Sequence, residues 1–353
     1  MGGVVMITII NEMDRCVREK KRGILATVIR VEGSTYQKEG AKCFFAEDGE
    51  LIGLLSGGCV EGDVLEHGKE VLQTEKPKKI HYDFRGEEDQ IWGLGVGCNG
   101  AIEIFIELFD PVGHHERSKL MREAFTTSQP IIIATITRDE EESKIGERWV
   151  HSNLQIGEPM DLKMKDNSEV FYDHITPVPT LYIFGAGPDA VPLVKTVKNL
   201  GWTVNVLDHR PGFVNKRNFP LADELICYER DHPTSVPLSE HSYAIVMSHN
   251  FTQDQLVLKS LLHSSVPYIG VLGPTTRTNQ LLHGFTIDEI QLNRIYSPIG
   301  LDIGAKTPEE IAISIAAELV NVHRGGNSMH LKQTKGKELL YTSRDHRRVI
   351  AYQ

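Results

Sequence analysis

One stretch leaves little freedom in how the second half of this chain can fold. Thr180-Leu181-Tyr182-Ile183-Phe184 reads as a short buried strand, Gly185-Ala186-Gly187-Pro188-Asp189-Ala190 follows at once, a helical segment runs to Leu200, and Thr203-Val204-Asn205-Val206-Leu207 ends in Asp208. The hexapeptide matches G-x-G-x-x-A. A glycine fingerprint alone is weak, but a strand before it, a helix after it and an acidic residue about 20 positions on predict a Rossmann βαβ unit. In such a unit a phosphate approaches the bare backbone at a helix N-terminus. Gly185, Gly187 and Ala190 are therefore candidate cradle residues, with Asp208 and Arg210 placed for hydroxyl or phosphate contacts.

Later segments extend the same sheet. Residues 243–247 predict a strand ending at Ser248-His249-Asn250, and residues 268–273 predict another, followed by a turn containing Arg277. The carboxyl ends of parallel strands line the ligand crevice, which adds His249, Gly270, Gly273 and Arg277 to the candidate site. Thr307-Pro308-Glu309-Glu310 carries a capping box with proline at the first helical position and opens a helix through Ile311, Ile315 and Leu319.

The first half alternates differently. Residues 10–20 predict a helix, and Ile24-Leu25-Ala26-Thr27-Val28-Ile29-Arg30-Val31 predicts a strand, being rich in β-branched residues. Residues 42–46 and 51–55 flank Asp48-Gly49, a hairpin signal. This hairpin feeds Ser56-Gly57-Gly58-Cys59-Val60-Glu61-Gly62, after which residues 59–73 have helical spacing. A second glycine-rich loop, Trp92-Gly93-Leu94-Gly95-Val96-Gly97-Cys98-Asn99-Gly100, precedes a strand over 101–108. Glycines turn backbone amides toward an anion, and a helix N-terminus favours a thiolate. Gly57, Gly58, Cys59, Glu61, Gly97 and Cys98 are thus candidate ligand-binding residues; the alternative is that each cysteine is a small packed residue under a tight turn.

The 353 residues suit two or three domains of roughly 100–200 residues each. Residues 1–112 form an N-terminal α/β domain of α+β type with the glycine-cysteine loops. Residues 113–177 are expected to form a connecting segment with a small β element near Pro130-Ile131-Ile132-Ile133-Ala134-Thr135-Ile136. Residues 178–326 form a C-terminal Rossmann-like parallel-sheet domain, and residues 327–353 a polar, basic tail. With 38 Lys+Arg against 48 Asp+Glu, a net charge of -10 and no basic run with interleaved aromatics in the body of the chain, nucleic acid is not expected as a partner. Five cysteines, at positions 16, 43, 59, 98 and 227, form no Cys-x-x-Cys pair, which predicts free thiols and a cytoplasmic protein. The apolar start has no basic leader and is too short to span a bilayer, so no membrane association is expected. His67, His81 and the cysteines lack zinc-like spacing.

Taken together, Gly33-Ser34-Thr35-Tyr36, Gly40-Ala41-Lys42, both glycine-cysteine loops, the G-x-G-x-x-A turn and Ser297-Pro298-Ile299-Gly300-Leu301-Asp302-Ile303-Gly304-Ala305 resemble the XdhC/CoxI family, over about residues 10–325. The resemblance implies an accessory factor rather than a stand-alone enzyme. Members of the family bind the molybdenum cofactor, protect it while an oxo ligand is exchanged for a terminal sulfido ligand, and deliver it to an apoenzyme. The implied partners are a xanthine dehydrogenase-type molybdenum hydroxylase and a cysteine desulfurase as sulfur donor, and the implied assembly is a homodimer. A pyranopterin dithiolene with a phosphate needs an anion cradle and a soft group near the metal. The Rossmann turn offers the first, and Cys59 and Cys98 are the molybdenum-proximal candidates for the second, on loops expected to face the Rossmann crevice.

The chain also departs from the family pattern. Where many members have G-A-G-H-x-A it has Pro188 and Asp189, Gln37 stands where many carry an arginine, and the common basic run is reduced to Thr275-Thr276-Arg277. Less positive charge then surrounds the site, and a carboxylate near a phosphate is repulsive unless it points away. Two other readings stay open. One is an NAD-dependent oxidoreductase with Asp208 on the ribose hydroxyls, although no paired acid and base stands out beyond His249. The other is a non-binding scaffold that docks on the dehydrogenase through the basic tail.

Overall fold

A computed structural model describes residues 3–58, 60–85, 99–127, 129–151, 161–165, 167–230 and 236–334. Cys59, Gly97 and Cys98 lie outside the described residues. The chain divides into two compact units, one comprising residues up to Thr180 with Val197–Thr203, the other Leu181–Thr196 with the residues from Val204 onward.

The first unit opens with helix α1 (Gly3–Glu19), in which Ile9, Met13 and Cys16 recur at helical spacing and are buried. They share one apolar cluster with Phe44, Phe109, Met121 and Phe125. Strands β1 (Gly23–Ser34), β2 (Lys42–Ala46) and β3 (Ile52–Gly53), helix α2 (Glu61–Thr74), and strands β4 (Lys78–Asp83) and β5 (Asn99–Phe109) follow. The strands make an antiparallel sheet in the order β3-β2-β1-β5-β4. Helix α2 lays Val64 and Val71 on it, against Ile24, Ile104 and Ile106.

A second antiparallel sheet belongs to the same unit. After helix α3 (His115–Phe125) come β6 (Ile131–Arg138), β7 (Arg148–Val150), β8 (Asp161–Lys165) and β9 (Ser168–Ile175), in the order β7-β6-β9-β8. The sequence predicts only one strand here, because β9 reads as polar although it is almost wholly buried. Its acidic residues are matched from elsewhere in the unit. Asp173 Oδ2 accepts from Lys42 Nζ on β2 at 2.6 Å, and Glu169 Oε1 accepts from Lys79 Nζ on β4 at 2.7 Å. On β5, Glu107 is held by Arg148 and, at 3.2 Å, by Arg117. Between the sheets a cavity of ≈ 20 Å³, lined by Lys42, Glu107, Arg148 and Asp173 among others, has room for about one water.

The other sheet is the parallel one. Strand β10 (Thr180–Phe184), helix α4 (Ala190–Asn199), β11 (Thr203–Asp208), β12 (Glu224–Cys227), β13 (Ser242–Val246), helix α5 (Phe251–Leu262), β14 (Tyr268–Val271), helices α6 (Thr275–Leu282) and α7 (Glu289–Leu292), β15 (Ile295–Tyr296), and helices α8 (Pro308–Arg324) and α9 (Leu331–Thr334) follow in order. The six strands run β12-β11-β10-β13-β14-β15. Strands β10, β11 and β13 are almost wholly buried because a parallel sheet is covered on both faces. The order reverses between β10 and β13, which puts the ligand crevice of such a sheet beyond their carboxyl ends. Helix α8 begins with the expected capping box, Thr307 with Glu310, and stops at Gly325, whose φ is 62°. Among the described residues, no helix is long and apolar enough to cross a membrane.

Candidate functional site

The glycine loop before α2 is shaped by a carboxylate. Gly57 and Gly58 have φ of 82° and 106°, a region that only glycine enters without strain. Glu61, the first residue of α2, turns its side chain back into the loop. Its Oε1 accepts the backbone N–H groups of Leu55 and Ser56, each at 2.9 Å, and its Oε2 accepts the Ser56 hydroxyl at 3.1 Å. Ser56 Oγ in turn accepts the Val60 N–H at 3.1 Å. Burial alone would raise the Glu61 pKa, but the Ser56 and Leu55 donors outweigh it and hold the carboxyl below its usual range.

Both Glu61 oxygens are therefore engaged within the loop. Among the described residues nothing lies within 4 Å of where a Cβ on Gly58 would stand, and the Tyr36 ring lies 3.3 Å from one on Gly57. Tyr36 is 63% exposed. Among the described residues, the loop thus sets a flat aromatic ring beside uncovered backbone at Gly58. Glu61→Gln should speed amide exchange at Leu55 and Ser56 about tenfold, since hydrogen bonds to a charged acceptor are worth roughly 1.5–3 kcal/mol. Unchanged exchange by NMR or mass spectrometry would rule out the clamp.

The described cysteines differ in environment. Burial pushes the Cys16 thiol up to about 12, with Glu12 adding to the effect, and raises Cys43 further. Both are core residues without thiolate character. Cys227 is exposed at the end of β12. Among the described residues, no group of three or more His, Cys, Asp or Glu could hold a metal ion.

The Rossmann turn closes tightly on β13. A Cβ on Gly185 would stand 2.4 Å from the Met247 carbonyl oxygen, so the turn approaches its neighbour as only glycine permits. Asp208, fully buried at the end of β11, accepts the Ala186 N–H at 2.7 Å and Arg210 Nη2 at 2.6 Å on Oδ2. Its Oδ1 accepts the N–H and Nε of Arg210, each at 2.9 Å. Burial would raise the Asp208 pKa, but Arg210 and the Ala186 N–H overcome it and leave the carboxyl below its usual value. Asp208 raises Arg210 in return. Both oxygens of Asp208 are thus committed within the protein, and its visible task is to fix the turn.

Across the crevice, His249 adopts φ 59°, and its Nε2 lies 2.8 Å from Asp189 Oδ2. Ser248 donates its N–H at 3.1 Å and its hydroxyl at 2.5 Å to Asp254 Oδ1, while Asp254 Oδ2 accepts Arg277 Nη2 at 2.6 Å. Asp254 is buried. It therefore pins Arg277 just beyond the end of β14. Gly270 lies inside β14, where a Cβ would stand 2.3 Å from Ile299 Cδ1, and one on Gly273 would stand 3.2 Å from Arg277 Cδ.

The structure brings Gly185, Gly187, Ala190, Asp208, Arg210 and His249 to the β10–β13 crevice, with Gly273 and Arg277 following β14. Gly57, Gly58 and Glu61 form a separate loop in the first unit. Asp254 is absent from the sequence-derived candidates. Its only local signal is an acid in the first turn of α5 after the Asn250 cap.

Comparison with known proteins covers both regions. The XdhC and CoxI family model matches residues 16–83, and the XdhC Rossmann domain matches residues 181–319. The chain is 33% identical over 330 residues to a probable xanthine dehydrogenase subunit of Bacillus subtilis (strain 168), spanning 88% of this chain and 96% of that protein. It is 22% identical over 320 residues to the molybdenum cofactor insertion chaperone PaoD of Escherichia coli (strain K12), spanning 89% and 88%. It also matches the crystal structure of a xanthine dehydrogenase from Bacillus halodurans, with a TM-score of 0.75 and 33% identity over 94% of this chain and 99% of that one. Because this likeness runs through the clamped glycine loop and the Rossmann turn alike, and nearly from end to end, the chain belongs to the XdhC and CoxI family.

Proposed function

We propose that this chain is an accessory protein that binds the molybdenum cofactor, supports its sulfuration and delivers it to a molybdenum hydroxylase of the xanthine dehydrogenase type. The observation that carries the reading is the likeness, along most of both chains, to a protein named as a molybdenum cofactor insertion chaperone. The described residues fit such a cargo. The uncovered backbone at Gly58 beside the exposed Tyr36 ring suits a flat, hydrogen-bonding pterin, and the Glu61 clamp keeps that surface in shape. Cys59 follows Gly58 directly in sequence, and we assign it, with Cys98, as a soft donor for the metal end of the cargo. The sulfur donor in this scheme is a cysteine desulfurase, and the acceptor is an apo-hydroxylase.

The test is to purify the protein from a host that makes molybdenum cofactor, then measure molybdenum by mass spectrometry alongside the fluorescent pterin released by oxidation. Both are expected together in the wild-type protein, and both should be lost in Cys59→Ala without a change in melting temperature. Absence of both from the wild type would overturn the carrier function. Unchanged retention in Cys59→Ala would remove the thiol from the site.

A further inference from the structure

In a dinucleotide-binding βαβ unit, the second glycine of the fingerprint lets the ligand's pyrophosphate lie against the backbone. Here that space is filled from within the chain. A Cβ on Gly187 would stand 2.4 Å from Asp189 Oδ1 and 3.9 Å from His249 Cδ2, so the carboxylate covers the face that the glycine leaves bare. The other oxygen, Oδ2, is 2.8 Å from His249 Nε2. A carboxylate directly before α4, paired with an imidazole, puts negative charge where a bound phosphate lies at a helix start.

We propose that Asp189 is a specificity determinant: held by His249 across the β10–β13 crevice, it stands in for phosphate and closes the Rossmann turn to pyrophosphate-bearing ligands such as NAD. To enter, a pyrophosphate must displace the carboxylate from Gly187 and His249, yet the displaced group still belongs to the turn, two residues after Gly187, and repels the incoming charges. Asp208 offers no compensation. In dinucleotide binding the corresponding acid accepts from a ribose hydroxyl, whereas here both oxygens are taken by Ala186 and Arg210. The Rossmann fold is kept while its usual ligand class is refused, and this holds whatever cargo the glycine loop of the first unit carries.

Calorimetric titration of the full-length chain with inorganic pyrophosphate, and separately with NADH, tests the proposal. The wild type should show no saturation with either at millimolar concentration, and Asp189→Ala should bind pyrophosphate at least tenfold more tightly. Asp189→Asn keeps the side-chain volume without the charge, so it should gain less than the alanine variant but still exceed the wild type. It also serves as the working variant if Asp189→Ala does not fold, as judged by circular dichroism. Equal pyrophosphate affinity in the wild type and the variants, whether weak or strong, would overturn the proposal, as would saturable NADH binding to the wild type. Molybdenum and pterin are measured on the same preparations, and their absence would count only against the cofactor-carrier function.

Discussion

Asp173→Ala is expected to destabilise the first unit by about 3–5 kcal/mol, because it strands a buried ammonium. The side chains of Lys42 and Asp173 are only 3% and 10% exposed, and the pair is closed at 2.6 Å. Once the carboxylate is gone, Lys42 Nζ keeps the Gly40 carbonyl at 3.0 Å and a position 5.6 Å from the Phe125 ring centroid. Neither contact neutralises a charge removed from water. In a unit of this size each kcal/mol moves the melting temperature by about 2–4 °C, so thermal unfolding should start roughly 6–20 °C lower. The paired replacement of Lys42 by Met and Asp173 by Leu should be nearly neutral or stabilising, since it removes both charges and fills the gap with apolar atoms. A loss below about 1 kcal/mol in Asp173→Ala would mean that Lys42 finds water, and that the pair is not a dry one.

That pair also shows where the sequence stops being legible. The Rossmann part could be read because its signals are local: β10 and β11 are continuous apolar runs, the glycine turn lies between them and the helix, and the α8 cap is three residues across. Strand β12 escaped notice because its four residues are half exposed, and β15 because it has only two. The second antiparallel sheet was hidden for a different reason. Its strand β9 carries Glu169 and Asp173, and acids in a buried strand make sense only once their partners are known; Lys79 lies 90 residues from Glu169 in sequence. The candidate site has the same limitation. Sequence identified Glu61, Asp208 and His249 as chemically able groups, but could not say that Glu61 is engaged by Leu55 and Ser56. Nor could it show that Asp208 is engaged by Ala186 and Arg210, or that His249 meets an acid 60 residues away. Composition and spacing locate functional groups; which hydrogen-bonding capacity remains for a ligand is set by the tertiary fold.

Asp208→Asn should destabilise the second unit by about 2–4 kcal/mol at neutral pH, and the size of that effect should depend on acidity in a defined direction. The aspartate holds three bonds from Arg210 and one from the Ala186 N–H, and charge-assisted bonds of this kind are worth roughly 1.5–3 kcal/mol each before mutual coupling is allowed for. An asparagine keeps one acceptor but turns an NH2 group toward the guanidinium or the amide, where a donor meets a donor. The wild-type carboxyl titrates below its unfolded value of about 3.9, so it binds its proton less readily when folded. Its stabilisation is therefore complete above that unfolded value and is lost as pH falls through the lower, folded pKa. The gap between wild type and variant in urea unfolding should be flat from pH 7 to about 4 and should narrow below it. Other acids held low in the fold, Glu61 and Glu169 among them, weaken both proteins alike in acid and cancel in the difference. A gap that stays constant down to about pH 3 would mean that the Asp208 charge contributes nothing and that only its shape supports the turn.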